Sequence, residues 1–333
     1  MNPLRIGIMS IAHLHAGSYV SCLKNNLRGK IVGLADHEQE RAQRFANSSG
    51  VPYFDSYEAL LKVVDAVVIT SENIKHAELA IMAANAGKHI MCEKPLMTNI
   101  SEGYKMLEAA KANKVTISTA FVCRFSPAMA RLRDVIDKDE LGEIIAVRGT
   151  NRGQCPGGWF TEPELAGGGA MIDHTVHVTD LLRWMLKSEV KNVYAEIGNN
   201  MYHSNFDDTA MVSLEFENGV FASLDSSWSR PKSNPTWGDV TMRVIGTQGF
   251  AEMDMFNQVI VHLSDELGKG TYAGWGTNVD NQTINAWLDL LEGKDTPEAK
   301  MLATGEDGFK AAEVALGAYQ STRTHATTNL PLK

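Results

Sequence analysis

Two short segments of this chain carry side chains suited to proton transfer. The first is Cys92-Glu93-Lys94-Pro95, directly after the apolar run His89–Cys92. A lysine just past a strand end can lie in a ligand cleft and exchange a hydrogen bond or proton with a substrate oxygen. Its bland alternative is a solvated surface charge. The second segment runs Gly167-Gly168-Gly169-Ala170-Met171-Ile172-Asp173-His174-Thr175-Val176-His177-Val178-Thr179-Asp180. On a helix, Asp173 and His177 lie one turn apart and share a face. An imidazole titrates near neutrality and a carboxylate can orient it, which suits removal of a proton from an alcohol. The same pair could be metal ligands or a surface pair. No third ligand is evident, so no metal is expected. His174 falls on another face and reads as structural. The three glycines would let a substrate or cofactor approach the backbone.

A further set of residues concerns a cofactor. In an open parallel sheet, ligands bind at the carboxyl ends of the strands. The first apolar run, Leu4–Ser10, leads into Ser10-Ile11-Ala12-His13-Leu14-His15. A dinucleotide fold normally has G-x-G-x-x-G here, because glycines let the backbone reach the pyrophosphate. This chain has Ser10, Ala12 and His15 at those places. Small residues at the first two still allow close approach; His15 departs most. A helix N-terminus offers free N–H groups to a phosphate with or without glycine, so Ser10, Ile11, Ala12 and His13 are candidate cofactor contacts. Asp36 ends the second run, Ile31–Ala35, where an acid can accept from the ribose 2′-OH of NAD and repel a 2′-phosphate. An Asp capping the next helix is the alternative. No arginine follows Asp36 directly, so NAD is favoured over NADP.

The elements that must position these residues alternate along the first third. Strand-like runs at 4–10, 31–35, 65–70, 89–92 and 115–120 are separated by helical patterns at 16–25, 37–48, 74–86 and 101–113. Such alternation predicts a parallel sheet with helices on both faces, and the unbroken apolar strands predict burial on both sides. The second part reads as a long helix over 168–186 and strand-like runs at 143–148, 210–216, 220–226, 240–245 and 258–263. Asn218-Gly219 between two of these runs is a hairpin signal, so an antiparallel sheet packed on helices is expected. Helices at 281–291 and 307–321 close the chain. The domain boundary is expected near Phe121–Pro127, giving domains 1–122 and 123–333. A length of 333 residues suits two domains.

Net charge is -9, with no Lys/Arg cluster resembling a phosphate-binding footprint, so no nucleic-acid partner is expected. Cys22, Cys92, Cys123 and Cys155 fit neither a zinc spacing nor a CxxC pair and read as reduced thiols. No signal peptide and no apolar stretch near ~20 residues is seen, so no membrane association and a cytoplasmic location are expected.

Taken in order, these segments resemble the glucose–fructose oxidoreductase / inositol dehydrogenase / rhizopine catabolism (Gfo/Idh/MocA) family. The resemblance runs through Asp65-Ala66-Val67-Val68-Ile69-Thr70, Ser71-Glu72-Asn73 to His76, Ala86-Gly87-Lys88-His89 and Glu93-Lys94-Pro95. It continues through Arg124-Phe125 with Pro127, Leu141-Gly142-Glu143, the triple-glycine helix and Gly305-Glu306-Asp307-Gly308. It covers essentially the whole chain. Each motif is loose; their joint order is specific. The resemblance implies an N-terminal Rossmann domain, doubly wound, and a C-terminal α/β domain. The sheet of the second domain would be open, mostly antiparallel, and used to form a homodimer or homotetramer. It implies that Lys94 is the catalytic lysine, that a cis bond precedes Pro95, and that Asp173 and His177 are the substrate-binding acid/base pair. Ser71, Asn73, His76, Glu93 and Arg124 would line the cofactor cleft. Two departures are the altered glycine fingerprint and Glu72, where the family usually has proline. The Asp-x-Thr-Val-His pattern is also similar to anhydrofructose reductases.

The implied activity is NAD-dependent hydride transfer from a secondary alcohol of a sugar, sugar derivative or cyclitol. His177 would remove the hydroxyl proton, Lys94 would polarise the oxygen and Asp173 would position His177, with the Lys94 and His177 side chains meeting one carbon. Arg152 and Trp159, and more weakly Trp275, are candidate contacts to the sugar. Two alternatives remain at this point: an NAD-dependent redox glycosidase, and a non-catalytic sugar-sensing regulator of the same fold.

Overall fold

A computed structural model describes residues 2–264, 269–274 and 276–332. Trp275 lies outside the described residues. The chain divides into two compact units: Met1–Val122 with Glu162–Gly167 and Val279–Ala312, and Cys123–Thr161 with Gly168–Asn278 and Glu313–Lys333.

The apolar runs of the first unit form β1 (Leu4–Met9), β2 (Gly29–Ala35), β3 (Ala66–Ile69), β4 (His89–Cys92) and β5 (Ile117–Thr119). They lie side by side in the order β5-β4-β3-β1-β2, all parallel. A two-residue strand, Ala303–Thr304, runs antiparallel outside β5. Val67, Val68, Ile69, Ile90, Met91 and Cys92 have no exposed surface, as a sheet covered on both faces requires. From β1 the chain crosses to β2 on one side and then to β3 on the other. Between β1 and β3 the carboxyl ends therefore open a crevice where such sheets bind ligands.

Capping chemistry sets the helices between these strands. Ser56 accepts from Ala59 N–H at the start of Tyr57–Leu61, and Asn99 accepts from Glu102 N–H at the start of Ile100–Asn113. Gly50, in the left-handed region at φ 67°, ends Gln39–Ser49. The helical pattern at 74–86 becomes a short turn, Asn73–Lys75, followed by the helix His76–Asn85. Helix Val279–Leu291 also belongs to this unit, through buried Ile284, Trp287 and Leu288 and hydrogen bonds that Ser18 donates to Asp280 and Arg28 to Asp289.

In the second unit, β6 (Ile144–Arg152), β7 (Val190–Gly198), β8 (Thr209–Phe216), β9 (Phe221–Ser227), β10 (Thr241–Gly246) and β11 (Gly249–Asp254) form one sheet. Its order is β11-β10-β6-β9-β8-β7, with Thr328–Asn329 beyond β7. Every neighbouring pair is antiparallel except β6 with β9. Gly219, at φ 87°, turns β8 into β9 at the Asn218-Gly219 site. β12 (Val259–Ser264) and β13 (Lys269–Gly274) make a separate hairpin. Along β8, Ala210, Val212, Leu214 and Phe216 are buried while Met211 and Ser213 are exposed. The buried face meets helix Ala170–Leu186, and a Cβ on Gly149 of β6 would come within 3.0 Å of Val178.

β7, β11, β13 and the helix Pro127–Asp137 are elements the sequence reading did not mark. Among the described residues, no helix is long and apolar enough to cross a membrane. Among the described residues, Cys22, Cys92, Cys123 and Cys155 form no disulfide.

Candidate active site

The turn after β1 replaces glycine chemistry with side-chain chemistry. Ser10 sits at φ 64°, the left-handed conformation that a fingerprint glycine adopts freely. Its hydroxyl donates to Asp36 (3.1 Å), its carbonyl accepts from the Thr70 hydroxyl (2.6 Å), and Ile11 N–H donates to Asp36 at 2.7 Å. Asp36 thus braces the turn from the end of β2. The same carboxylate accepts from Glu38 N–H (2.8 Å) and from two nitrogens of Arg41 (2.7 and 3.1 Å). Arg41 also reaches Glu72 at 3.0 Å, and His37 lies 3.5 Å from the second Glu72 oxygen. Burial opposes ionisation of Glu72. The imidazole of His37, a bond from its own backbone and the Arg41 guanidinium outweigh that effect and lower its pKa to about 2.

Asp36 fits the ribose end of a dinucleotide, with one physical condition. Its side chain has no exposed surface and both oxygens are already occupied. A ribose diol would have to displace Arg41, the movable donor among its partners. Sequence reading missed Arg41 because it sought an arginine adjacent to Asp36; this one returns from the first turn of helix Gln39–Ser49.

At the end of β4, Glu93 has no exposed surface and collects three neighbours. His15 Nδ1 lies at 2.8 Å, the Tyr19 hydroxyl donates at 2.6 Å, and His13 Nδ1 lies at 3.7 Å. Burial disfavours the carboxylate, but His13, His15 and Lys94 hold its pKa well below the usual range. His15 is itself shifted: burial lowers its pKa, but the Glu93 carboxylate outweighs that and leaves it raised. Lys94 is 6% exposed, and its backbone N–H donates to Glu93 at 3.1 Å. The Lys94–Pro95 peptide is cis. His76, fully buried, bridges the Pro95 carbonyl (2.8 Å) and the Ser71 carbonyl (3.3 Å), and burial lowers its pKa. It fixes the Lys94 segment to the end of β3. Ser71 donates to the Glu72 carbonyl at 3.0 Å, and Asn73 donates to the Ala166 carbonyl at 2.8 Å.

In the second unit, the helix Ala170–Leu186 is buried almost all round. Among the described residues Ala170–Arg183, His177 alone is partly exposed. Its Nδ1 lies 3.8 Å from the Cys123 sulfur. Asp173 is buried, accepts from Trp228 Nε1 at 3.1 Å and lies 3.2 Å from His174 Nε2. His174 is therefore part of the Asp173 environment. Neither Trp228 nor Cys123 carried a sequence signal, since both arrive from distant segments.

The glycines before this helix serve the protein's own packing. Gly167, at φ 77°, ends the turn Pro163–Ala166. A Cβ on Gly168 would run into the Tyr319 hydroxyl, and one on Gly169 into the Asp207 carbonyl. The Asp207 carboxylate then accepts from Gly169 N–H (2.9 Å), Met171 N–H (2.7 Å) and Tyr319 (2.7 Å). It caps the helix N-terminus from another segment, a role no local pattern announced.

The remaining candidates are engaged within the second unit. Arg124 grips Asp180 through two bonds of 2.7 and 2.6 Å, both residues buried. Arg152 does the same with Asp239 (2.9 and 2.6 Å). Trp159 stacks on Phe160 with ring centroids 3.9 Å apart.

Comparison with known proteins extends these observations over both units. A profile described as "Oxidoreductase family, NAD-binding Rossmann fold" matches residues 4–121, and a "GFO/IDH/MocA C-terminal domain" profile matches 129–252. The chain is 30% identical to a scyllo-inositol 2-dehydrogenase (NAD(+)) of Bacillus subtilis, over 73% of this chain and 71% of the relative. It is 28% identical to a 1,5-anhydro-D-fructose reductase of Ensifer adhaerens, over 89% and 90%. The solved structure of GenD2 from gentamicin A biosynthesis, in complex with NAD, superposes with a TM-score of 0.88 at 21% identity. It covers 100% of this chain and 97% of that one, so the two share a fold.

Proposed function

The chain belongs to the GFO/IDH/MocA family of oxidoreductases, and from that premise we propose that it oxidises a secondary alcohol of a sugar or cyclitol with NAD. Residues 1–122 are assigned to dinucleotide binding and 123–333 to substrate binding and oligomerisation. The observation that carries the reading is the exposure of His177, the one partly exposed side chain between Ala170 and Arg183 on a stretch of helix otherwise buried. A core helix has no packing reason to place an imidazole there.

In this reading the dinucleotide, when bound, accepts hydride from the substrate carbon. His177 takes the hydroxyl proton, and Asp173, held by Trp228, orients the substrate or the imidazole. Lys94 polarises the oxygen; Glu93 beside it keeps a counter-charge against the ammonium. Ser10, Ile11, Ala12 and His13 would meet the phosphates. Asp36 would bind the ribose once Arg41 yields, and Ser71, Asn73, His76 and Arg124 would shape the site around them. Arg152 and Trp159 are assigned to the sugar side.

NAD is preferred over NADP because a 2′-phosphate would enter beside Asp36 and Glu72, two carboxylates sharing one guanidinium. The NAD named for the Bacillus subtilis relative and bound to GenD2 supports the same choice. A cytoplasmic location and a homodimer or homotetramer complete the proposal.

The test is a panel of cyclitols, hexoses and anhydro-sugars offered with NAD and with NADP, read at the NADH absorbance. Sustained NADH formation with at least one polyol is expected. Protein that binds NADH yet reduces NAD with none of them, or that cleaves aryl glycosides without net NADH, would sink the dehydrogenase reading.

A further inference from the structure

His15 stands where a dinucleotide turn ordinarily has a glycine and His13 at a variable place before it, and His13 Nδ1 accepts from His15 N–H at 3.2 Å. Ser10 already takes the left-handed position and Asp36 already braces it. Both imidazoles also converge with Glu93. Donor atoms of all three residues lie within 4.8 Å of one another. His15 Nδ1 and His13 Nδ1 are 2.8 and 3.7 Å from the same Glu93 oxygen. In a tetrahedral site with metal–ligand bonds of about 2.0–2.1 Å, neighbouring ligand atoms lie about 3.3 Å apart. The two histidine–Glu93 separations bracket that value, and an ion entering there would replace the His15–Glu93 contact and the bond from His15 N–H to His13 Nδ1.

We propose that His13, His15 and Glu93 bind one divalent transition-metal ion of the zinc class. Two imidazole nitrogens and a carboxylate are a borderline donor set that favours zinc, cobalt or nickel over magnesium or calcium. Two of the three side chains are sealed, at 3% and 0% exposure, while His15 at 35% marks the entry path and leaves a fourth position open. Ligating carboxylates are themselves hydrogen-bonded in well-formed sites, and the buried Tyr19 hydroxyl supplies that bond at 2.6 Å. The ion would occupy the phosphate turn after β1. It therefore competes with the dinucleotide, a consequence that rests on the cofactor reading above; the site itself does not.

The experiment is titration of the cofactor-free protein with Co2+, followed by its ligand-field absorption, with Zn2+ affinity measured against a chromophoric chelator. One equivalent per chain with the intense bands of four-coordinate cobalt is expected. His15→Ala, a partly exposed position, is expected to weaken affinity by more than ~10-fold. Tyr19→Phe keeps the ring and is expected to weaken it about 10-fold. Circular dichroism would verify that both variants are folded. Wild-type protein that shows no such bands, or a folded His15→Ala that binds Co2+ as tightly as wild type, overturns the proposal. NADH is expected to bleach the bands; bands that persist while NADH binds at full affinity overturn the competition. A metal-free protein that binds no NADH at all would count against the cofactor reading and leave the cobalt result standing.

Discussion

Lys94 and His177 are the side chains on which turnover depends in the proposed reaction. Lys94→Ala should lower kcat by at least ~100-fold, the minimum for a lost general acid/base, with NADH binding retained. His177→Ala should do the same, and the loss should appear in kcat more than in NAD affinity. Near-wild-type turnover in either variant would remove that residue from the mechanism. Glu72 yields a different pH prediction. Its carboxyl is lowered in the folded protein to about 2 from an ordinary 4.5. A depressed carboxyl contributes stability that is full above about 4.5 and is lost as pH falls through about 2. Urea denaturation should therefore find Glu72→Gln less stable than wild type at pH 7, with the gap closing between pH 4.5 and 2; a pH-independent gap would mean the Arg41 and His37 pairing contributes nothing. The same variant should narrow the preference for NAD over NADP by about 10-fold, the effect of one charge contact of ~1.4 kcal/mol. Residue types and chain positions marked Lys94, His177 and Asp36 as candidates. Arg41, Tyr19 and Trp228 were not marked, because their partners are fixed by how strands and helices meet, not by spacing along the chain.

At the scale of elements, the helix Ala170–Leu186 was legible from its apolar positions and preceding glycines, but the means of holding its N-terminus was not. Asp207 supplies the cap that serine, threonine, aspartate or asparagine supplies locally elsewhere. Asp207→Ala should destabilise the protein by about 1–2 kcal/mol in equilibrium unfolding, and Tyr319→Phe by less, because the two backbone donors would keep the carboxylate. A change within error for Asp207→Ala would reduce that contact to packing. The glycines here illustrate the limit of pattern reading. A run of three reads as room for a ligand, whereas Gly168 and Gly169 are filled by Tyr319 and Asp207.

For the molecule as a whole, the second sheet turns one face to helix Ala170–Leu186 and leaves the other open. On that open face Met211, Phe221 and Ile245 are 59, 57 and 39% exposed. Exposed apolar residues gathered on one sheet face mark an association surface, which supports the proposed homo-oligomer. Phe221→Glu with Met211→Glu should shift light-scattering mass toward the monomer without loss of secondary structure; an unchanged mass would place the interface elsewhere. What the sequence determined by itself was the alternation that makes a parallel sheet, the strand ends where chemistry can sit and the family. Each depends on short-range periodicity or on residue type at a motif position. Only the tertiary structure decided that 279–312 packs with the first 122 residues, that Arg41 occupies Asp36, and that two histidines meet Glu93. Apart from the five-residue step between Asp36 and Arg41, such contacts join segments tens or hundreds of residues apart. An amphipathic helix or a charged side chain looks the same in sequence whichever partner the folded chain presents to it.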